Sequence, residues 1–458
     1  MKDAGSFRDP SGFIYYQNDQ VFRSVNYNYK TNFDHLIDSG LYEELVNENL
    51  LIDHHELIDQ KKEANQYKIL RVTKIPFISY PYEWSFNQFK DAILLTLEIQ
   101  KKSIKYGMTL KDATPFNIQF KDNKPVFIDT LSFELIENNN FVWKPYKQFC
   151  EMFLGPLCLM KYVDPNLNKL LINHINGIPL DLVVKLLPFR SKFNFTVLIH
   201  LIIHNLIKGK KGADSKKDKK NMIISKSKHL NIINQLESFV SEIDPPLIKT
   251  EWGEYNEETL SEKKGYVVDK QNTLKSFLEN NKYKLCWDIG SNDGFFSRII
   301  GEKYSENVIS FDIDWNCVDE NYLNCKSSGI KNVFPLILDL SNPSPSIGWL
   351  NKERASVYER FGSPDLISCF AIMHHIINAG IPLENFIEFL SKSSKDVLIE
   401  YVPMSDPKCQ IIFESRGNDF NYPSLEFFKE ALLNRFEIIN SHKLDETDRM
   451  LFHLNKNG

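Results

Sequence analysis

From Leu285 onward, short apolar runs alternate with amphipathic stretches: KLCWDIG, NVISFDID, VFPLILDL, DLISCFAIMHH and DVLIEYVP are each bounded by polar residues or glycine. The five runs predict buried strands, and helical patterning lies between four of them and the next. Strands of this kind, separated by helices, form a mostly parallel sheet covered on both faces. The final segment, RFEIINSHKLDETDRMLFHL, predicts an antiparallel hairpin that closes the sheet across an unusually polar connection.

The first half is patterned differently. SGFIYYQNDQVFRSV, Ser11 to Val25, predicts a hairpin turning at Asn18 and Asp19, and ILRVTKIPFISYPYEW predicts strands entering a hinge near Tyr82 and Glu83. FNQFKDAILLTLEIQKKSIKYG, Phe86 to Gly107, predicts a long helix. The longest apolar stretch, FTVLIHLIIHNLI from Phe195 to Ile207, is too short for a membrane span and carries two histidines, which predicts a buried helix. GKKGADSKKDKK follows it and can bury nothing, so it predicts a solvated linker or loop, with an anion-binding patch as the alternative. Beyond it, HLNIINQLESFV has helical spacing and leads to Pro245 and Pro246. The expected division is 1–208, a lysine-rich linker 209–228, a helical connector 229–284, and 285–458.

A chain of 458 residues with 42% hydrophobic composition can bury two cores. Its formal charge of -5 gives no whole-chain reason to expect nucleic acid or an anionic membrane as partner. The N-terminal MKDAGSFRDPSGF has no signal-peptide core. Seven cysteines, odd in number and without a CxxC pair, indicate neither a zinc cage nor a disulfide framework; they are expected to pack as reduced thiols in a cytoplasmic protein.

The chemistry concentrates in CWDIGSNDGFFSRII. Asp288, Gly290, Asn292 and Gly294 fall at the turn between the first strand and the first helix, where a doubly wound sheet binds its ligand. The second strand ends in Asp312 and Asp314, where an acid can accept both hydroxyls of a ribose, and the third ends in Asp339 beside Leu340, suited to the amine and face of an adenine. Each acid alone could be a solvated strand end, but three at consecutive strand ends point to an adenosyl ligand. His374 and His375 end the fourth strand, and Glu400, Asp406, Arg416 and Asp419 follow or end the fifth. These could contact an acceptor, or they could be structural.

DIGSNDGFFS with Asp312 and Asp339 resembles the class I S-adenosylmethionine-dependent methyltransferases over Leu285 to about Leu454. The resemblance implies a Rossmann-like sheet, S-adenosylmethionine as cofactor, Trp252, Tyr255 and Tyr266 as candidates for a lid or else as ordinary packing aromatics, and His375 and His374, with Glu400, as candidate catalytic or acceptor-positioning groups. The combination of HH, IEYVP and SRGNDF looks like the methyltransferases grouped with nodulation proteins of the NoeA type, which leaves the acceptor unnamed. A small molecule or glycan-like compound is expected. Where base-modifying enzymes carry an Asn/Asp-Pro-Pro-aromatic motif this chain has FAIMHH, so nucleic acid is not favoured, and no metal site is indicated in this half.

In the first half, KDATPFNIQFKDNKPVFIDTLSFE places Asp112 and Asn117 in a D-x-x-x-x-N pattern, followed by a hairpin and Asp129. Residues 1–208 thereby resemble an α+β protein-kinase-like or aminoglycoside-phosphotransferase-like fold, in which these three residues hold ATP and Mg. No G-x-G-x-x-G loop or VAIK-type lysine is present, and Arg23 or Lys30 is left to replace the lysine. Three readings follow: a methyltransferase fused to a kinase-like domain, a bifunctional kinase-methyltransferase, or a non-catalytic protein that senses S-adenosylmethionine and binds a partner.

Overall fold

Asn18 and Asp19 both adopt left-handed backbone angles, φ 49° and 59°, which two-residue hairpin turns require. Gly12–Gln17 therefore folds back onto Gln20–Asn26, as the sequence predicts. The computed structural model describes residues 2–58, 63–210, 224–248, 250, 264–414 and 422–457. The chain divides into two compact units, Met1–Leu247 with Pro345–Ser356 and Ile248–Ser344 with Val357–Gly458.

In the first unit the hairpin joins Gln66–Val72 and His54–Glu56 in a four-stranded antiparallel sheet. Only one of the strands expected before the hinge forms; after Val72 the chain runs without regular structure to a 3-10 turn, Pro81–Glu83. The helix Phe86–Lys105 starts where Gln88 Oε1 accepts the Ser85 N–H at 2.9 Å. Its apolar face buries Phe89, Ile93, Leu97 and Ile104 against the hairpin Ile118–Lys121/Lys124–Phe127 and the helix Lys226–Glu242. That second helix, read from sequence as part of a connector, buries Ile233, Leu236 and Val240 in this unit. The run Phe195–Ile207 is helical, but the expectation of full burial fails: Val197 and Leu201 are buried, whereas Phe195, Leu206 and Ile207 are exposed. Of the apolar residues in this run only Val197 and Leu201 find a core.

The second unit is a seven-stranded α/β sheet. Its strands in chain order are Tyr283–Ile289, Ser305–Asp312, Val333–Ile337, Leu366–Cys369, Asp396–Tyr401, Phe436–Lys443 and Met450–Lys456. Their spatial order is third, second, first, fourth, fifth, seventh, sixth; the first five are parallel and the seventh runs antiparallel to both neighbours. Pro335, which has no N–H, is tolerated because its strand lies at the sheet edge. Cys286, Ile300, Val308, Val333, Leu366, Leu398 and Leu451 belong to one fully buried cluster, each side chain stabilising by about 1.5–3 kcal/mol. The strand order reverses beside the first strand, and a crevice opens there at the carboxyl ends.

All seven cysteines are buried and unpaired. No described helix is long and apolar enough to cross a membrane.

Candidate functional site

Gly290 (φ 72°), Asn292 (φ 51°) and Gly294 (φ 75°) all take left-handed angles, turning the chain sharply from the first strand into the helix Phe295–Lys303. The turn forms one wall of a cavity of about 330 Å³ at the carboxyl edge of the sheet, a size suited to a small ligand. Asp288, Gly290, Asn292, Asp312, Asp339, Leu340, His374 and His375 line it. Gly294 does not; it packs the helix closely, since a Cβ there would lie 2.1 Å from Asn321 Oδ1.

The acids differ in state. Asp288 is 1% exposed; its Oδ1 accepts the Ser368 hydroxyl at 2.7 Å and its Oδ2 that of Ser297, which counter the burial that pushes its pKa up. Asp312 accepts backbone N–H groups from Asn292 at 2.7 Å and Asp314 at 2.9 Å, yet burial dominates and raises it to about 6. Each oxygen of Asp312 keeps acceptor capacity for a hydroxyl. Asp339 Oδ1 is taken by the Ser341 N–H and hydroxyl, at 2.8 and 2.6 Å. Asp314 caps the helix Trp315–Ser327 through the Asn316 N–H, so Asp312 is the acid of this strand end that faces the cavity.

His374 and His375 do not end a strand. The fourth strand stops at Cys369, Ala371 takes φ 49°, and both histidines sit in the first turn of the short helix Met373–Asn378. Burial lowers His374 to about 3 and His375 to about 4, so both are neutral imidazoles near pH 7. His374 is 3% exposed and its Nδ1 makes no hydrogen bond.

Glu400 is placed behind the cavity wall and does not line the cavity. It receives Tyr266 at 2.6 Å, Lys270 at 2.5 Å and Arg449 at 3.2 Å, and Arg449 also holds Asp406 at 2.9 Å. Burial alone would raise the Glu400 carboxyl, but Lys270 and Arg449 outweigh it and hold it at about 2. A carboxylate so engaged cannot take a proton from an acceptor, which corrects the expectation of a catalytic Glu400. Tyr266 is buried and lines the cavity wall. Trp252, Tyr255, Arg416 and Asp419 lie outside the described residues.

Lys270 and Arg449 escape a sequence reading that looks for acids and histidines. Lys270 lies between the Phe296 and Phe370 rings, 4.7 and 4.6 Å from their centroids. The signal was present: Tyr266, Lys270 and Leu274 recur at helical i, i+4 spacing, so a lysine occupies an apolar-face position.

In the first unit Asp129 pairs with Arg23, accepts the Ser132 hydroxyl at 2.5 Å, and receives the Leu131 N–H at 3.2 Å. Burial opposes its ionisation, but Arg23, Ser132 and Lys111 prevail and its pKa is lowered. Asn117 Nδ2 donates to Ser132 at 3.1 Å, and Asp112 is raised by burial and by Asp129. The three residues are thus brought together, and of the two cations considered it is Arg23 that joins them; Lys30 pairs with Asp34. Among the described residues no group of His, Cys, Asp and Glu has the arrangement of a metal site.

The reversed strand order and the glycine- and acid-lined cavity at the carboxyl edge define a class, that of doubly wound α/β proteins with a ligand crevice at the switch point of the sheet. The nodulation protein NoeA of Rhizobium meliloti (strain 1021) is 30% identical over 460 residues, 98% of this chain and 95% of that protein. The chain belongs to the NoeA family. Two solved structures are also similar. The N-methyltransferase NodS of Bradyrhizobium japonicum WM9, in complex with S-adenosyl-L-homocysteine, is 10% identical over 46% of this chain and 100% of its own, with a TM-score of 0.32. The magnesium protoporphyrin IX methyltransferase ChlM of Synechocystis PCC 6803 is 15% identical over 42% and 86%, with a TM-score of 0.31. No family model matches the chain.

Proposed function

We propose that the second unit binds S-adenosylmethionine through Asp288, Gly290, Asn292, Asp312, Asp339 and Leu340, with Gly294 setting the turn, and methylates a small-molecule or glycan-like acceptor. The carrying observation is the cavity itself, in which the acids of three adjacent strand ends converge with a glycine turn. Asp312 accepts ribose hydroxyls, Asp339 accepts the adenine amine through its second oxygen, and Leu340 covers the base. When bound, the cofactor supplies an activated methyl on a sulfonium. The chain then has only to align the acceptor and hold its proton. His374, neutral and with Nδ1 unpartnered, accepts a hydrogen bond from the acceptor's O–H or N–H, and His375 flanks it. Buried free thiols fit action in the cytoplasm.

Isothermal titration with S-adenosylmethionine tests the reading. Binding is expected, and Gly290→Val should abolish it, because φ 72° disfavours a side chain and a Cβ would meet Ile372 Cδ1 at 2.7 Å. No binding to the unmodified protein would end the proposal. Mass spectrometry of extracts incubated with deuterium-labelled donor would identify the acceptor, and binding without any labelled product would favour a sensor.

A second reading gives the first unit a kinase-like fold in which Asp112, Asn117 and Asp129 engage ATP and Mg. The observation that favours it is the pairing of Arg23 with Asp129, a cation from the sheet set against the acid after the hairpin. Binding of ATP with magnesium, lost in Asp129→Asn, supports it; a protein that binds no nucleotide refutes it.

A further inference from the structure

In the first unit, residues 180–210 fold as a helix (Leu180–Leu186), a 3-10 turn (Phe189–Phe193) and a longer helix, Phe195 to Lys210, whose middle part Leu198–Ile203 is π-helical. Val183, Val197 and Leu201 anchor its inner side without exposure. The outer side carries Phe189 (72% exposed), Phe193 (78%), Phe195 (64%), Leu206 (58%) and Ile207 (54%). Residues five apart diverge on a regular helix, but the i→i+5 turn brings Ile203 back toward Leu198, so the exposed apolar positions share one face. The Phe189 and Phe193 rings meet edge to face at 5.3 Å. A patch this large and apolar marks an interaction surface.

Its charge selects the partner. From Leu182 to Ala213 the sequence has Lys185, Arg190, Lys192, Lys208, Lys210 and Lys211 and no Asp or Glu, in a chain of formal charge -5. Arg190 and Lys192 stand between the two exposed phenylalanines, and Lys192 Nζ lies 5.7 Å from the Phe189 ring centroid. Of the six cations, Lys185 pairs with Asp181 just outside the stretch, at 3.6 Å. We infer that this face docks on an anionic phospholipid surface, its phenylalanine and aliphatic side chains entering the acyl boundary and Arg190 and Lys192 meeting the phosphates. The helix is too short to span the bilayer, so the contact is peripheral.

Co-sedimentation of the full chain tests this with vesicles of phosphatidylcholine alone and with about one-third phosphatidylglycerol. The protein is expected to pellet with the mixed vesicles, to be released at high salt, and to remain in solution with phosphatidylcholine alone. Phe189→Ser with Phe193→Ser should weaken binding at least about tenfold, since both rings lose an apolar contact. Arg190→Glu with Lys192→Glu should do the same by charge. Phe189, Phe193 and Arg190 are exposed and Lys192 is half-buried, so circular dichroism and melting should match the parent, as should S-adenosylmethionine binding. Equal pelleting of parent and both variants, or equal binding to neutral vesicles, overturns the inference. So does light scattering that finds a dimer which the phenylalanine variant dissociates, because a second copy would then cover the face.

Discussion

The Lys270 ammonium lies 2.5 Å from Glu400, and the two side chains are only 5% and 0% exposed. With Arg449 on the same carboxylate, one acid sits between two buried cations that line the cavity. Glu400→Gln keeps the shape and removes the charge, leaving Lys270 without its carboxylate and Arg449 with Asp406 alone; breaking a buried pair in this way costs about 3–5 kcal/mol. Denaturant unfolding should show that loss. The same pair sets an acid limit. Because the folded Glu400 is held at about 2, below its ordinary 4.5, its contribution is complete above pH 4.5 and is lost as the pH falls toward 2. The stability of Glu400→Gln should change less over that window than that of the parent.

Asp312 is displaced in the opposite direction. Its carboxyl, raised to about 6 by burial, is ionised at pH 7 and protonated a unit or two lower. Ribose hydroxyls donate best to the carboxylate, so binding favours the ionised form and is linked to loss of this proton. Titration calorimetry should therefore find S-adenosylmethionine affinity level above pH 6 and falling about tenfold per unit below it. Asp312→Asn should bind weakly at all pH values and lack that inflection.

Most of the second unit's sheet was legible because parallel strands are apolar throughout and end in chemistry: Asp288 lies next to the end of its strand, Asp312 ends its strand, and Asp339 follows shortly after its own. What failed depends on the far side of each residue. Nothing in IEYVP distinguishes a carboxylate facing a cavity from one facing Lys270 and Arg449, which are distant in sequence. FAIMHH stops being a strand after Cys369 because Ala371 turns left-handed, which no propensity of alanine foretells. FTVLIHLIIHNLI has the composition of a core helix, but composition counts apolar residues and not the neighbours available to cover them.

Gly294 separates the structural part of the glycine turn from the binding part. Its φ of 75° and the 2.1 Å approach that a Cβ would make to Asn321 Oδ1 forbid even alanine without movement of Asn321, which itself donates to Ser310 at 2.9 Å. Gly294→Ala should lower stability by about 1–3 kcal/mol, read as a drop in the melting temperature of the ligand-free protein. The experiment distinguishes this glycine from Gly290, which lines the cavity.

In the first unit Arg23 and Asp129 make a pair whose worth depends on both members being present. Arg23→Met removes the cation paired with Asp129 and leaves the carboxylate with the Ser132 hydroxyl, the Leu131 N–H and the weaker influence of Lys111, and should cost about 3–5 kcal/mol. Asp129→Asn strands the guanidinium instead. If the pair serves the fold, the double variant should lose much less than the sum of the single losses, because neither charge is then stranded; a double-mutant cycle in denaturant measures that coupling. Additive losses would mean that each side chain has its own partner, and the ion pair would then not be what holds this sheet to the hairpin loop.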